Sequence, residues 1–446
     1  MPEPTPRPSL FHHPNFLKLW VGDTISQFGT QVSQLAIPLV AITFLRASPF
    51  EVALLGTIEF LPFLLFTLPA GAWVDRLQRR PILIIGDTGR AIALASIPIA
   101  YALGALTILQ LYVVGFAMGV LTVFFDVSYQ SYLPSLVERD QLVDGNAKLQ
   151  TSQSAAQILG PGFGGFLIGI MTAPIAVIVD AVSYIASAIF VFSIRGSEPP
   201  IPPSESPQGS RVERLRGFGQ EIREGVAFVV QHPYLRMIAA STGSSNLFSN
   251  ILFGIYLVYV VRVLGLDPLR IGLIFSLGSF GTLAGALLAN RIAARIGVGR
   301  ATVGAIALGG PAGLLIAIAP QGAPEPFLIA AAALAGFGGL VYNINQVSFR
   351  QAITPERMQG RMNATMRFLV WGTIPIGSLL SGILATLFGL STTIWIGAIL
   401  GFLPFVFVFA SPMRSLRTMP TSPEDWAERT GVALSAPAEP GPPPLI

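Results

Sequence analysis

The stretch Gly71-Ala72-Trp73-Val74-Asp75-Arg76-Leu77-Gln78-Arg79-Arg80 sets one acid and three arginines between two apolar runs, 52–74 and 81–103. Each run is long enough to cross a bilayer. A dense charge cluster between two such runs fits a short loop, and arginine in a short loop marks the cytoplasmic side. The stretch therefore predicts a multi-spanning membrane protein and fixes its orientation.

Composition agrees. Of 446 residues, 11% are charged and 52% hydrophobic, against about 25% charged in a typical water-soluble domain. The absence of cysteine excludes disulfides and thiolate metal sites, and His12, His13 and His232 form no ligand cluster, so neither metal nor cofactor is expected. The net charge of +4 resides in arginines scattered over short loops. They build no continuous basic face, which argues against a nucleic-acid partner. Met1 to His13 is proline-rich and polar, so no signal peptide is expected.

Twelve spans are predicted, at 16–45, 51–74, 81–103, 108–133, 147–170, 173–194, 235–262, 270–293, 299–319, 325–349, 362–388 and 391–411. Four very short connections, around 103–106, 171–174, 320–325 and 389–391, carry no Lys or Arg. The other side holds Arg76, Arg79, Arg80, Arg139, Lys148, Arg291, Arg295, Arg300, Arg350, Arg357, Arg361, Arg414 and Arg417. This asymmetry predicts a multi-pass protein of the inner cell membrane with both termini in the cytoplasm. The expected organisation is a flexible N-terminus (1–15), a six-helix bundle (16–194), a cytoplasmic linker with an amphipathic helix (195–233), a second six-helix bundle (234–411) and a flexible tail (412–446). The linker helix is expected over 212–230, along the membrane surface.

The halves repeat. Ala70-Gly71-Ala72 before Asp75-Arg76 matches Ala284-Gly285-Ala286 before Asn290-Arg291. Glu138-Arg139 before Asn146 matches Glu356-Arg357 before Asn363, and Gly160 and Gly165 match Gly377 and Gly382. Internal repeats across a linker describe a transporter with its site between the halves.

These residues resemble the major facilitator superfamily over nearly the whole chain, an all-α membrane fold of twelve helices in two pseudo-symmetric six-helix bundles. Gly71, Asp75, Arg76, Arg79 and Arg80 resemble its signature between helices 2 and 3, with Gln78 where the family usually has glycine. The resemblance implies an intracellular gate in which Asp75 docks on the N-terminus of helix 11, expected near Met362–Asn363. Gly160-Pro161-Gly162-Phe163-Gly164-Gly165 resembles the glycine–proline motif of the family's antiporters, and its small residues also allow close helix packing. Leu133-Pro134 before Asn146-Ala147, with the run Asp180 to Tyr184, is most similar to the macrolide-efflux and enterobactin-exporter branch.

Asp23, Gln27, Gln31 and Gln34 share one face of helix 1, and Asn246 and Asn250 share one of helix 7, its repeat partner. With Asn343 and Gln346 on helix 10 they are the candidate walls of a substrate cavity, since lipid offers polar groups no partner. Intramembrane acids are costly and call for a reason. Asp87 has Arg90 one turn on as an ion-pair partner, and Asp180 lies near the outer surface, where water or a structural bond accounts for it. Asp126, Asp23 and Glu59 have no local partner and are the proton-coupling candidates. Arg367 on helix 11 stands close enough to the cytoplasmic end to snorkel.

The expected function is secondary active export of a hydrophobic or amphipathic small molecule, drug-, macrolide- or siderophore-like, by alternating access and proton antiport. The expected partners are that solute, the proton and the lipid bilayer, with the chain as a monomer. An uptake carrier or facilitator is the first alternative, and a transporter-like sensor signalling through 195–233 the second. No nucleophile–base set marks an enzyme.

Overall fold

The computed structural model describes residues 10–74, 76–138, 141–195 and 223–430, which are mainly helical, with no strand among them. The first bundle comprises α1 (Pro14–Leu39), α2 (Pro49–Val74), α3 (Arg79–Ala102), α4 (Ile108–Leu136), α5 (Leu142–Met171) and α6 (Ala173–Phe192). A short helix, α7 (223–231), leads into the second bundle. There α8 (Pro233–Phe253) and α9 (Tyr256–Arg262) make the seventh span, and α10 (Pro268–Ile296) the eighth. The ninth is α11 (Val298–Ala307) with α12 (Gly309–Ala317), and the tenth is α13 (Glu325–Ala352). α14 (Glu356–Trp371) with α15 (Thr373–Phe388), then α16 (Leu390–Leu400) with α17 (Leu403–Ala410), complete the set, and α18 (Pro423–Thr430) follows.

Eleven of these helical segments are long and apolar enough to cross a membrane. α1 has the length, at 26 residues, but its polar stripe dilutes its hydropathy. Helices are what a spanning chain must form, because lipid leaves every backbone group to be satisfied within the segment. Local signals place their starts: Thr107 accepts from Gln110 N, Asp267 accepts from Arg270 N, and Pro268 occupies the first turn of α10. Large apolar side chains such as Ile92, Leu109, Phe192, Leu287 and Leu387 stand exposed on the outside, where lipid covers them. The repeat survives in detail: the turns after α5 and α15 pass through Thr172 at φ 73° and Gly389 at φ 84°.

Three buried apolar clusters show how the bundles meet. One, at the end remote from the chain termini, combines residues of both bundles, including Val40, Ala176, Tyr259 and Ile271. The other two lie at the terminal end and stay within single bundles, around Phe16 and Tyr132 in the first and around Tyr234 and Phe349 in the second. Arg262 seals the remote end by donating from Nη2 to Ala47 O (2.7 Å) and Ile42 O (3.2 Å).

Several expected boundaries move. The eleventh span starts at Glu356, well before residue 362. Gln78 sits at φ −66° and ψ 131°, a conformation open to any residue, so the departure from glycine costs no strain. Leu10 is buried, so the N-terminal segment packs from residue 10 onward, and residues 1–9 lie outside the described residues. Of the expected linker helix over 212–230, the part before 223 lies outside the described residues. The rest does not simply lie along a surface: Phe228 and Val229 are buried in the second bundle, and Glu224 pairs with Arg361 at 2.5 Å.

The expected flexible tail from 412 is a correction too. Trp426 of α18 is 1% exposed and meets Tyr234 and Phe349 edge-on, with centroids 4.7 and 5.2 Å away. A single aromatic residue in a Pro- and Ala-rich tail gives no periodic signal, yet burying an indole outweighs the ordering of a short segment. Residues 431–446 lie outside the described residues.

His232 caps α8 beside this cluster, with Nδ1 accepting from Leu235 N and its ring between Phe228 and Tyr234. Burial pushes its pKa down to about 4. An unfolded imidazole protonates near 6.5, so between about pH 6.5 and 4 the unfolded chain binds a proton that the folded chain refuses. Stability is then lost as pH falls through that window and is unaffected above it. Melting in detergent is expected to drop from pH 7.5 to pH 5, and to drop less in His232→Gln. An equal fall in both proteins rejects this role.

Candidate functional site

The two bundles meet along two seams. In the first, α5 and α10 cross at glycines. A Cβ on Gly165 would strike Pro268 O and stand 3.1 Å from Gly272 Cα, while one on Gly272 would strike Pro161 O and stand 3.0 Å from Gly165 Cα. Gly162 N donates to Ser276 Oγ (2.8 Å) across the same crossing. The opposite face of the run packs on α1, where Gly164 approaches Val32 Cα and Gly160 receives the Gln31 side chain. The antiporter-type motif thus joins helix 1 to the far bundle, with Gly160 and Gly164 on one contact and Pro161 and Gly165 on the other.

The second seam joins α2 to α15 toward the remote end. Ser378 Oγ donates to Ala53 O (2.8 Å), and Gly382 closes on Phe50 and Ala53. Toward the terminal end the same helices part. A cavity of about 230 Å³ opens between Phe63, Leu64 and Thr67 on α2 and Asn363, Arg367 and Trp371 on α14. The exposed Arg367 guanidinium rests 5.5 Å from the Trp371 ring and faces this gap, rather than only reaching for a membrane surface.

The residues of the expected gate begin one helical turn beyond Thr67 on α2. Gly71 has open space where a Cβ would be, and Arg76 is exposed. Arg80 donates from Nη2 to Phe192 O (2.5 Å) and from Nε to Val191 O (3.3 Å), covering the last carbonyls of α6 as a cation at a helix C-terminus should. Arg79 is partly buried at the start of α3. Asp75, the acid of the expected gate, lies outside the described residues.

Inside the first bundle the structure assembles a charge cluster that the sequence did not show as one. Arg90 is 5% exposed, and its Nη2 pairs with Asp87 Oδ1 at 2.5 Å, with Asp87 fully buried. Its guanidinium is sandwiched between the rings of Phe125 (4.1 Å) and Tyr184 (4.2 Å). Asp126 and Asp180 both fall within its field. Of the two accounts expected for Asp180, the structural bond applies: it is fully buried, Ser183 Oγ donates to its Oδ1 (3.0 Å), and its Oδ2 has no hydrogen-bond partner. Asp23 is buried on α1, with Gln27 Nε2 at 3.5 Å and the Tyr129 ring close by. Asp126 alone of this group is exposed, on a face of α4 turned well away from the outward-pointing Leu109 and Val113. Glu59 stands apart, between α2 and α4, against Gly115.

The remaining candidates divide. Gln34 and Asn343 are exposed, and Gln27 is partly so. Gln31 packs on α5, so its glutamine serves a helix contact at least in part. Asn246 Nδ2 donates to Val370 O across to α14 (3.1 Å), and Asn250 Nδ2 bonds back to Asn246 O (2.8 Å). Gln346 is buried, with an unpartnered Oε1. Sequence periodicity found the polar stripes but could not say which of their members bond to neighbouring helices.

Two repeated helical bundles, joined at one end by glycine crossings and parted at the other, with carboxylates buried in one of them, define a membrane transporter of the major facilitator type. The chain belongs to the transmembrane secretion effector family of that superfamily, whose profile matches residues 8–442. It is 28% identical over 380 residues to the multidrug efflux pump Tap of Mycolicibacterium fortuitum, covering 82% of this chain and 88% of that one. It is 26% identical to macrolide efflux protein A of Streptococcus pyogenes over 218 residues, 49% of this chain and 51% of that one. It is 22% identical to the enterobactin exporter EntS of Citrobacter koseri, covering 79% and 80%. Its fold matches the crystal structure of a bacterial homologue of the iron transporter ferroportin in an inward-facing state, with a TM-score of 0.71 at 15% identity over 90% of this chain and 99% of that one.

Proposed function

We propose that this chain exports a hydrophobic or amphipathic small molecule by alternating access, driven by inward proton movement. The observation that carries the reading is the unequal seam: both bundles share one apolar cluster at the remote end and keep separate ones at the terminal end. A packed seam at one end and a parted seam at the other is one of the two states a rocking carrier needs. Drug and macrolide pumps and a siderophore exporter among its relatives support export and the substrate class. The arginine-rich loops support a cytoplasmic side for the termini, and with them for the open end, of an inner-membrane protein.

The proton path is assigned to Asp126, because it is exposed beside Arg90, with Asp23 and Glu59 as the alternative carriers. Gln27, Gln34 and Asn343 line the substrate path, and the loop from Gly71 to Arg80 gates it. The test uses purified protein in proteoliposomes with an imposed pH gradient and a panel of macrolides, dyes and siderophores. Substrate addition is expected to move protons in the wild type and in Glu59→Gln, and not in Asp126→Asn, which still binds substrate. Transport without any pH change, in every variant, overturns antiport in favour of a facilitator.

A further inference from the structure

The second bundle holds a cavity of about 300 Å³ between α8, α12, α13 and the α16–α17 bend, and no charged residue lines it. The repeat offset of 215 to 217 residues, set by Asp75 with Asn290 and Gly160 with Gly377, places the counterpart of Arg90 within 305–307. Ala305 and Ile306 line this cavity. The first bundle therefore fills the matching space with a guanidinium, two rings and a carboxylate, and the second leaves it open. The helices differ accordingly. α3 and α6 run unbroken, whereas their counterparts break at Leu308 and at Gly401–Phe402, where Gly309 and Gly401 face each other at the cavity wall.

Two helix breaks and two facing glycines keep this space clear of side chains. Its size is about twice that of an apolar cavity of about 150 Å³ known to take benzene, which is room for two fused rings. Phe253, Tyr256 and Phe275 meet in sequence at 5.8 Å and offer ring faces at one end. Ser245, Asn246 and Ser249 supply polar groups on the α8 side, where Ser249 and Phe253 are exposed, so the cavity opens along that face.

We propose that this cavity is a binding subsite within the second bundle for an uncharged, two-ring aromatic or fused-ring part of the transported molecule, with a hydroxyl or carbonyl held near Ser245 and Ser249. The subsite rests on the transporter reading above. It separates two tasks: the charged cluster of the first bundle handles the cation or proton, and the neutral cavity of the second recognises apolar bulk.

Gly339 gives a clean handle, because it lines the cavity and a Cβ there meets nothing within 4 Å. Gly339→Leu adds apolar bulk from a position where a Cβ meets no neighbour, and Gly339→Cys places a single thiol in a chain that has none. The probe is N-phenyl-1-naphthylamine, added to protein in nanodiscs, with empty nanodiscs as the lipid background. Saturable binding is expected in the wild type, at least tenfold weaker in Gly339→Leu at unchanged melting temperature. The probe is also expected to slow N-ethylmaleimide labelling of Gly339→Cys. Equal affinity in wild type and Gly339→Leu, no binding above the lipid background, or labelling slowed only by a change of acyl chain overturns the subsite. Binding lost in Gly339→Leu, in a protein that moves no solute, keeps the subsite and rejects the exporter.

Discussion

Arg90→Leu is expected to lower stability by about 3–5 kcal/mol, the cost of removing one partner from a buried ion pair. Asp87 is fully buried and relies on Arg90, whose guanidinium also packs between Phe125 and Tyr184. Without it, Asp87 loses its cation, Asp126 and Asp180 lose theirs, and the two rings lose the plane they stack on. Arg90→Lys keeps the charge but not the planar fork and is expected to fall between. Asp87→Asn with Arg90→Leu should recover most of the loss, because replacing both partners of a buried pair is often nearly neutral. Melting temperatures of the four proteins in one detergent check this. An unchanged melting temperature in Arg90→Leu would mean that Asp87 is not held as a carboxylate by this arginine.

Gly272→Leu is expected to drive the bundles apart at the remote end and to stop transport. Its Cβ would enter the space of Pro161 O and Gly165 Cα, which are backbone atoms unable to rotate away. Overpacking of this kind costs about 1–3 kcal/mol, and here the cost falls only on the state in which α5 and α10 touch. A bias of that size moves a two-state equilibrium by about five- to 150-fold. Spin labels on the short turns near residues 104 and 322, in this cysteine-free background, read the change as a longer distance between bundles. Gly272→Ala should show a smaller shift of the same sign. A distance distribution identical to wild type, with transport intact, rejects the crossing as a gate.

The class of fold and the order of its parts were legible in the chain. Apolar runs of spanning length, arginines concentrated in alternate loops and motifs repeated between the halves are local patterns, and lipid leaves such runs no structure but helix. The same patterns pointed to Asp87 with Arg90, because an ion pair three residues apart on a helix is a local event. They failed to choose between water and a structural bond for Asp180, which is buried in the first bundle and bonded to Ser183. Depth along a helix can be counted, whereas the direction a side chain faces depends on which helices surround it. They failed likewise for Trp426, since one indole in a Pro-rich tail carries no period. Gly160 to Gly165 marked a close contact without naming the partners. Residues four apart share a face and neighbours do not, so only assembly could give Gly160 and Gly164 to α1 and Gly165 to α10. What tertiary structure alone decided was the asymmetry: one end sealed and the other parted, a charge cluster in one bundle and an open cavity in its twin. Both arise from contacts between residues far apart in the chain, whose energies no local pattern encodes.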